Sequence, residues 1–324
     1  MASGRLTIGV DLGATKLLAA LVDERGNVVA RRKKKTQADQ GVDAVIGRVV
    51  DSVRELLNDA GDAKIRAAGV GFAGPVDFKK QLVITAGNMP WRDVPLGKIL
   101  ADKLKLSTVV VDNDTNAGTY GEWRRGAGSG RDDFMGIFVG TGIGAGLVLD
   151  GRMYRGHYHT AGEIGHTIID VCGALSRRNL EDSASRTAMG ITLARRIRTN
   201  HPSSLANLAE SEGLFVRIRS KALAQAYQAG DKEVVAIVQE SARFVGTAIA
   251  NVVTMLSLPL VVLGGGVTEA LGKPYVELVR QQVRADIFPP ELEVDVVAAK
   301  LGDDATIVGA AAMAQEMAEA KGKE

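Results

Sequence analysis

Leu6–Lys16, LTIGVDLGATK, and Phe134–Gly146, FMGIFVGTGIGAG, are the two stretches that decide the fold. Each begins as an apolar strand, breaks into a glycine-rich turn that carries a threonine, and resumes as an apolar strand, LLAALV after the first and LVLDG after the second. Glycine permits positive φ and lets a ligand come close to the main chain, so such turns can present backbone N–H groups to phosphate. The same unit used twice points to a nucleotide gripped between two halves of one protein.

The chain has 324 residues, 46% hydrophobic and 24% charged. That composition is globular, and the length favours two domains. A net charge of +2 implies no nucleic-acid partner and no anionic membrane. The concentrated charge Arg31–Lys35 follows Val28-Val29 and is expected on a solvated edge strand, where lysines discourage edge pairing, in preference to a polyanion site. Cys172 is the sole cysteine, so an intramolecular disulfide is ruled out and a reducing cytosol is expected. The first apolar run, LTIGV, is interrupted by Asp11, and no window reaches the roughly eighteen apolar residues of a spanning helix. The expectation is a soluble, cytoplasmic protein.

Periodicity places strand, strand, strand, helix, strand, helix and strand between Leu6 and about Asp112. The helices are expected over Gly41–Ala60, with Val45, Val49, Val53, Leu56 and Leu57 at helical spacing, and within Trp91–Leu106. A polar helix from Thr115, the second glycine turn and an irregular stretch to about Asp182 come next. Helices are then expected near Thr187–Asn200, Lys221–Ala229 and Asp231–Leu256, followed by PLVVLGGGV as strand into glycine turn, a helix over Tyr275–Ile287, the strand LEVDVVAA and a last helix over Ala305–Ala320. That last helix needs a surface to cover, and packing back onto the first domain is expected. The expected domains are residues 1–112 with 303–324, and residues 113–302, sharing a cleft and a hinge, since no Pro-rich or Ser-rich linker separates them.

Gly69–Gly74, GVGFAG, fits the G-x-G-x-x-G string of dinucleotide folds, but Pro75 follows and PVDFKKQLVI reads as a hairpin, with no helix to receive a pyrophosphate. No G-x-x-x-x-G-K-[ST] occurs. Asp11-Leu12-Gly13-Ala14-Thr15-Lys16 puts an acid, a glycine and a hydroxyl in one tight turn, which alone is equally well an ordinary hairpin. Its echo at Gly140-Thr141-Gly142-Ile143-Gly144 and a third turn, Gly264-Gly265-Gly266 after VVL, favour turns that serve phosphate, phosphate and adenosine in that order.

The order DLGATK, NDTN at 113–116, GTGIGAG, GEIGH at 162–166 and LGGGV resembles the ROK family of sugar kinases and related repressors over essentially the whole chain. The resemblance implies an α/β, duplicated actin-like ATPase (ribonuclease H-like) fold, with two domains around a nucleotide cleft. It implies an ATP-dependent hexose kinase, a glucokinase first of all. Read as residues alone, Asn113 or Thr115 is a helix cap, and Glu163 and His166 are loop residues in solvent. The resemblance instead implies Asp114 as the base that takes the proton of the sugar hydroxyl, late, because phosphoryl transfer is mainly positioning and charge neutralisation. It further implies Gly74, Asn88, Asn113, Asp114, Glu163, His166 and Glu181 around the sugar. Gly13, Thr15 and Lys16 would lie on one side of the ATP phosphates and Thr141 and Gly142 on the other, with Gly264, Gly265 and Gly266 at the adenosine and Asp11 holding Mg²⁺ through water. Amides and carboxylates with few aromatics suit a polyhydroxylated ligand, since each unpaired hydroxyl in a closed site costs about 1 to 3 kcal/mol. Relatives are commonly dimers, so a homodimer is implied.

Many members of the family follow GEIGH with a zinc cluster, C-x-C-G-x-x-G-C-x-E, whose remaining ligand is the histidine of GEIGH. Aligned without gaps on Glu181, this chain has Cys172 at the first thiolate position but Ala174 and Asn179 at the others. One His and one Cys cannot close a tetrahedral structural zinc. Zinc is therefore expected to be absent, with His166 left to the sugar. A kinase for N-acetylmannosamine, fructose or allose, a polyphosphate-using glucokinase, a non-catalytic sugar sensor and a decayed enzyme stay open. The family's repressors carry a helix-turn-helix ahead of the acid-glycine turn, and with ten residues before Asp11 a DNA-reading domain is not expected.

Overall fold

The computed structural model describes residues 5–61, 63, 65–86, 89, 91–171, 177–209 and 218–322, so Asn88 and the run from Cys172 to Ser176 lie outside the described residues. The chain opens with three strands, β1 (Leu6–Leu12), β2 (Lys16–Asp23) and β3 (Val28–Lys35). Helix α1 (Val42–Asp59) leads to β4 (Ala67–Phe72), then to a small sheet of β5 (Val76–Asp77), β6 (Leu82–Thr85) and β7 (Arg92–Val94). Helix α2 (Leu96–Leu104), β8 (Thr108–Asn113) and α3 (Asp114–Arg125) follow. The hairpin expected after GVGFAG is β5–β6, with Val76 opposite Val83. The helix expected within Trp91–Leu106 starts only at Leu96, because a residue before proline is disfavoured in helix and Val94 before Pro95 stays extended.

The first sheet has the order β3-β2-β1-β4-β8, with β1 antiparallel to β2 and parallel to β4, and β4 parallel to β8. Strand β4 is buried at every position and β1 and β2 are nearly so. Central strands covered on both faces read as unbroken apolar runs, which is why they were legible. The edge strand β3 alternates instead. Arg32 and Lys34 lean onto Glu55 of α1, at 3.2 and 2.7 Å, while Arg31, Lys33 and Lys35 are exposed, the solvated edge that the basic run predicts.

After α3 come β9 (Phe134–Val139), β10 (Ile143–Leu149) and β11 (Arg152–Tyr154), then β12 (Ile168–Val171) and β13 (Arg177–Asn179), which pair antiparallel in the stretch expected to be irregular. Helices α4 (Leu180–Ala184), α5 (Arg186–Arg198), α6 (Ala206–Ala209), α7 (Ser220–Gln228) and α8 (Lys232–Leu256) precede β14 (Leu260–Gly264). The chain continues through α9 (Gly266–Leu271), α10 (Lys273–Asp286), β15 (Asp295–Ala298) and α11 (Ala305–Lys321). The second sheet has the order β11-β10-β9-β14-β15, with β14 parallel to both β9 and β15. This is the strand order of the first sheet over again, so the two glycine turns mark a duplicated topology.

By backbone compactness the chain divides into two units, Met1–Asp132 with Gly146–Gly162 and Asp303–Glu324, and Asp133–Ala145 with Glu163–Gly302. In the first unit α11 lies against β1, β4, β8 and α3. It is buried continuously from Ile307 to Ala314 instead of along one stripe, as a helix covered on several sides must be. Small residues set the spacing. A Cβ added at Gly9 or Gly69 would overlap the carbonyl oxygen of Ile307 or Ala310, and one at Gly309 would overlap that of Ala117. Helix α3, polar by composition, is for the same reason buried from Asn116 to Trp123. Two of its polar side chains reach partners inside the protein: the Trp123 indole N–H donates to the Arg131 carbonyl at 2.8 Å and the Tyr120 hydroxyl to Glu316 at 2.5 Å. Among the described residues no helix is long and apolar enough to cross a membrane.

Candidate functional site

The acid-glycine turn joins β1 to β2. Gly13 N–H donates to the Lys16 carbonyl at 3.0 Å, which closes the turn. Thr36, completely buried just after β3, clamps it from outside: its hydroxyl donates to the Gly13 carbonyl at 2.6 Å and its N–H to the Thr15 carbonyl at 3.1 Å. Asp11 lies just before the turn, with its carboxylate 3.7 Å from the Lys16 ammonium. Burial pushes the Asp11 carboxyl above its ordinary value; Lys16 works against that shift, and the Asp303 carboxylate adds to it. A carboxylate and an ammonium flanking a glycine turn suit a hydrated hard cation and phosphate oxygens.

The junction of β8 and α3 is the second part. Asn113 caps the helix: its Oδ1 accepts from the N–H groups of Thr115 and Asn116 at 2.9 and 3.1 Å and from the Thr115 hydroxyl at 2.5 Å. Its amide donates to the Gly74 carbonyl at 3.2 Å. The capping role read from the residues is therefore the one Asn113 performs, and a ligand contact would fall to its second amide hydrogen. Asp114, half-buried at the first helical position, takes the Thr115 N–H on Oδ1 at 2.8 Å. Negative charge is favoured at a helix N-terminus. Gly71 stands opposite Asp11 in the β1–β4 ladder, and a Cβ there would lie 3.3 Å from the Asp114 Cα, so the two acids are near neighbours.

Asp112, 1% exposed, lies beneath this junction. Arg155 donates to its Oδ2 from Nε and Nη2 at 2.8 and 2.6 Å, while Oδ1 accepts from the Asn113 N–H at 2.8 Å and the Asn116 amide at 3.1 Å. The Arg155 guanidinium also lies over the Phe78 ring, 3.7 Å from its centroid. This charge-assisted pair fixes the backbone on which Asp114 rides. No motif marks Thr36, Asp112 or Arg155, and only the fold brings them to the site.

In the second unit Glu163 precedes the short turn Ile164–His166, and its Oε2 is 3.9 Å from Nε2 of His166, which is mostly exposed. Burial raises the Glu163 carboxyl above the usual range; His166 opposes the shift and Glu181 adds to it. Glu181, in the first turn of α4, accepts the Ile143 N–H on Oε2 at 2.8 Å and so ties that acid to the second glycine turn. The turn itself closes through Gly140 N–H on the Gly142 carbonyl at 2.9 Å. The start of α5 braces it, Arg186 N–H donating to the Gly140 carbonyl at 2.9 Å and the Thr187 hydroxyl to the Thr141 carbonyl at 2.8 Å. In the third turn Gly264 ends β14, Gly265 has φ +87° with no room for a Cβ against the Val139 backbone, and Gly266 begins α9. The first unit thus gathers Asp11, Gly13, Thr15, Lys16, Gly74, Asn113 and Asp114, and the second Thr141, Gly142, Glu163, His166, Glu181 and Gly264–Gly266.

The raised Glu163 carboxyl has a consequence for stability. A carboxyl that holds its proton better folded than unfolded makes stability fall as pH rises from the ordinary carboxylate range through the folded value. Glu163→Gln cannot ionise, so it is expected to raise Tm at about pH 8 and to leave it unchanged at about pH 3.5, below both values. Calorimetric scans at the two pH values read this, and an equal shift at both would rule out titration as the cause.

The family model described as the ROK family matches residues 7–317. The chain is 31% identical to the glucokinase of Streptomyces coelicolor over 318 residues, 96% of this chain and 98% of that protein. It is also 31% identical to the N-acetylmannosamine kinase of Citrobacter koseri over 314 residues, 95% and 98% of the two chains. Among solved structures it is similar to a ROK family glucokinase from Streptomyces griseus in complex with glucose and AMPPNP, with a TM-score of 0.83 and 31% identity over 96% of this chain and 99% of that one. The fold is the duplicated actin-like ATPase fold that the resemblance implies.

Proposed function

Since this chain belongs to the ROK family, we propose that it is an ATP-dependent hexose kinase, a glucokinase that converts glucose and ATP to glucose 6-phosphate and ADP. The observation that carries the reading is the setting of Asp114: a half-buried carboxylate at the head of α3, on a backbone held by Asn113, Asp112 and Arg155 and beside the acid-glycine turn. Asp114 accepts the proton of the attacking sugar hydroxyl, and a weak base suffices because the proton arrives as the bond to phosphorus forms. Glu163, Glu181 and His166 take the remaining hydroxyls, Glu181 with the oxygen not committed to Ile143. Gly74, Asn88 and Asn113 complete that shell. Gly13, Thr15 and Lys16, with Thr141 and Gly142, bind the phosphates, and Gly264, Gly265 and Gly266 bind the adenosine. Asp11, a half-buried carboxylate kept beside Lys16, is the residue that would hold Mg²⁺ through water. When bound, the cation neutralises phosphate charge.

The residues at the aligned zinc positions do not fit zinc. Asn179 uses its Oδ1 to cap α4, accepting the Asp182 N–H at 2.7 Å, and neither an amide nor Ala174 replaces a thiolate. Metal analysis that found one tightly held zinc per chain would contradict this. The proposal includes a cytoplasmic homodimer, which light scattering of the purified protein tests for its oligomeric part.

Coupled ADP release over glucose, N-acetylmannosamine, fructose and allose, with ATP and polyphosphate as donors, tests the whole. Glucose with ATP is expected to give the highest kcat/KM. Preference for N-acetylmannosamine, which the Citrobacter relative phosphorylates by its name, would replace the substrate and keep the chemistry. No turnover with any sugar would leave a sugar sensor.

A further inference from the structure

The side chain of Arg186, the first residue of α5, has no part in the roles above. Its guanidinium donates from Nη2 to Oγ1 of Thr141 at 2.6 Å and from Nη1 to Oγ of Ser220 at 2.7 Å. Ser220 opens α7 beside the third glycine turn, where a Cβ on Gly266 would lie 3.2 Å from the Ser220 oxygen and 3.8 Å from Nη1 of Arg186. One planar cation therefore reaches from the second glycine turn to the third, and all of these residues belong to one unit. The bond to Thr141 has a further effect. A hydroxyl oxygen that accepts from a guanidinium keeps its own hydrogen to donate, and the Thr141 side chain is exposed.

We propose that Arg186 is a phosphate-binding residue of the nucleotide site: its guanidinium pairs with the non-bridging oxygens of the ATP and ADP phosphates, and its bond to Thr141 aims that hydroxyl's hydrogen at the same oxygens. The proposal rests on the glycine turns serving ATP, as put forward above. Arg suits this position because its rigid, permanently charged fork matches phosphate geometry and spans two turns at once. The ligand feature it recognises is the polyphosphate chain, so adenosine is blind to it.

The test compares wild type with Arg186→Met and Arg186→Lys by calorimetric binding of ADP and of adenosine, together with KM for ATP and for glucose. Arg186→Met is expected to weaken ADP binding and raise KM for ATP by about 10- to 100-fold. Adenosine affinity, KM for glucose and Tm should stay within twofold or one or two degrees of wild type. Arg186→Lys should recover part of the loss, since charge returns without the fork. Equal weakening of ADP and adenosine would make Arg186 a structural staple and overturn the proposal, as would an unchanged KM for ATP. Wild-type protein that binds neither nucleotide would overturn the nucleotide site itself, and this residue's role with it.

Discussion

Asp114→Asn is expected to lower kcat for glucose phosphorylation by about 10²- to 10⁴-fold, the range that a positioned general base contributes. The substitution is chosen because it changes little else. Asparagine keeps the size of the side chain and an oxygen for the Thr115 N–H, which Asp114 binds at 2.8 Å. The Asn113 cap and the Asp112–Arg155 pair beneath it do not involve the altered atoms. The lost negative charge at the helix N-terminus costs about 0.3 to 1 kcal/mol, so Tm should fall by only a few degrees. The two KM values should change far less than kcat, because the proton moves only on the way to the transition state. Steady-state kinetics beside a thermal melt checks all of this. A variant that kept a tenth or more of wild-type kcat would sink the assignment of Asp114 as the base.

The largest effect on stability is expected from Gly69→Ala, a loss of about 3 kcal/mol or more, at or beyond the top of the usual range for overpacking. Its Cβ would fall on the main chain of α11 at Ala310, and backbone cannot rotate aside as a long side chain can. Neither partner has freedom to retreat. Strand β4 is hydrogen-bonded on both edges, to β1 and to β8, and α11 is pressed from its other side by α3, where Gly309 meets the Ala117 carbonyl. Gly47→Ala is the control: Gly47 lies within α1, nothing approaches the position of its Cβ within 4 Å, and alanine there should stabilise by about 0.5 to 1 kcal/mol. Urea unfolding of both variants reads the difference, and a Gly69→Ala protein of wild-type midpoint would show that the helix–sheet contact is looser than described.

What was legible in the sequence follows from what is local. The apolar runs of β1, β4 and β8 and the glycine turns announce themselves because each is complete within a few residues. The same holds for the helical faces of α1 and α8 and for the Asn113 cap. The polar helix α3 is where the sequence places it, but its burial is not legible there, because it depends on α11, which lies far along the chain. Thr36, Arg155 and Arg186 escaped for a related reason. Each acts through a partner distant in sequence, Gly13, Asp112 and Thr141 respectively, and no spacing rule connects them. The roles of Asp11, Asp114, Glu163 and Glu181 come only through family resemblance. A lone carboxylate in a loop carries no sign of its role until burial and neighbours are known.

The seating of α11 among β1, β4, β8 and α3 also bears on how the protein is made. Every other element of that unit leaves the ribosome before this helix is translated, so the hydrophobic surfaces it seals stay open throughout most of synthesis. Until α11 emerges, the nascent chain exposes apolar surface of the kind that chaperones cover. A chain cut short within α11 would lack the keystone of that unit and is expected to accumulate poorly.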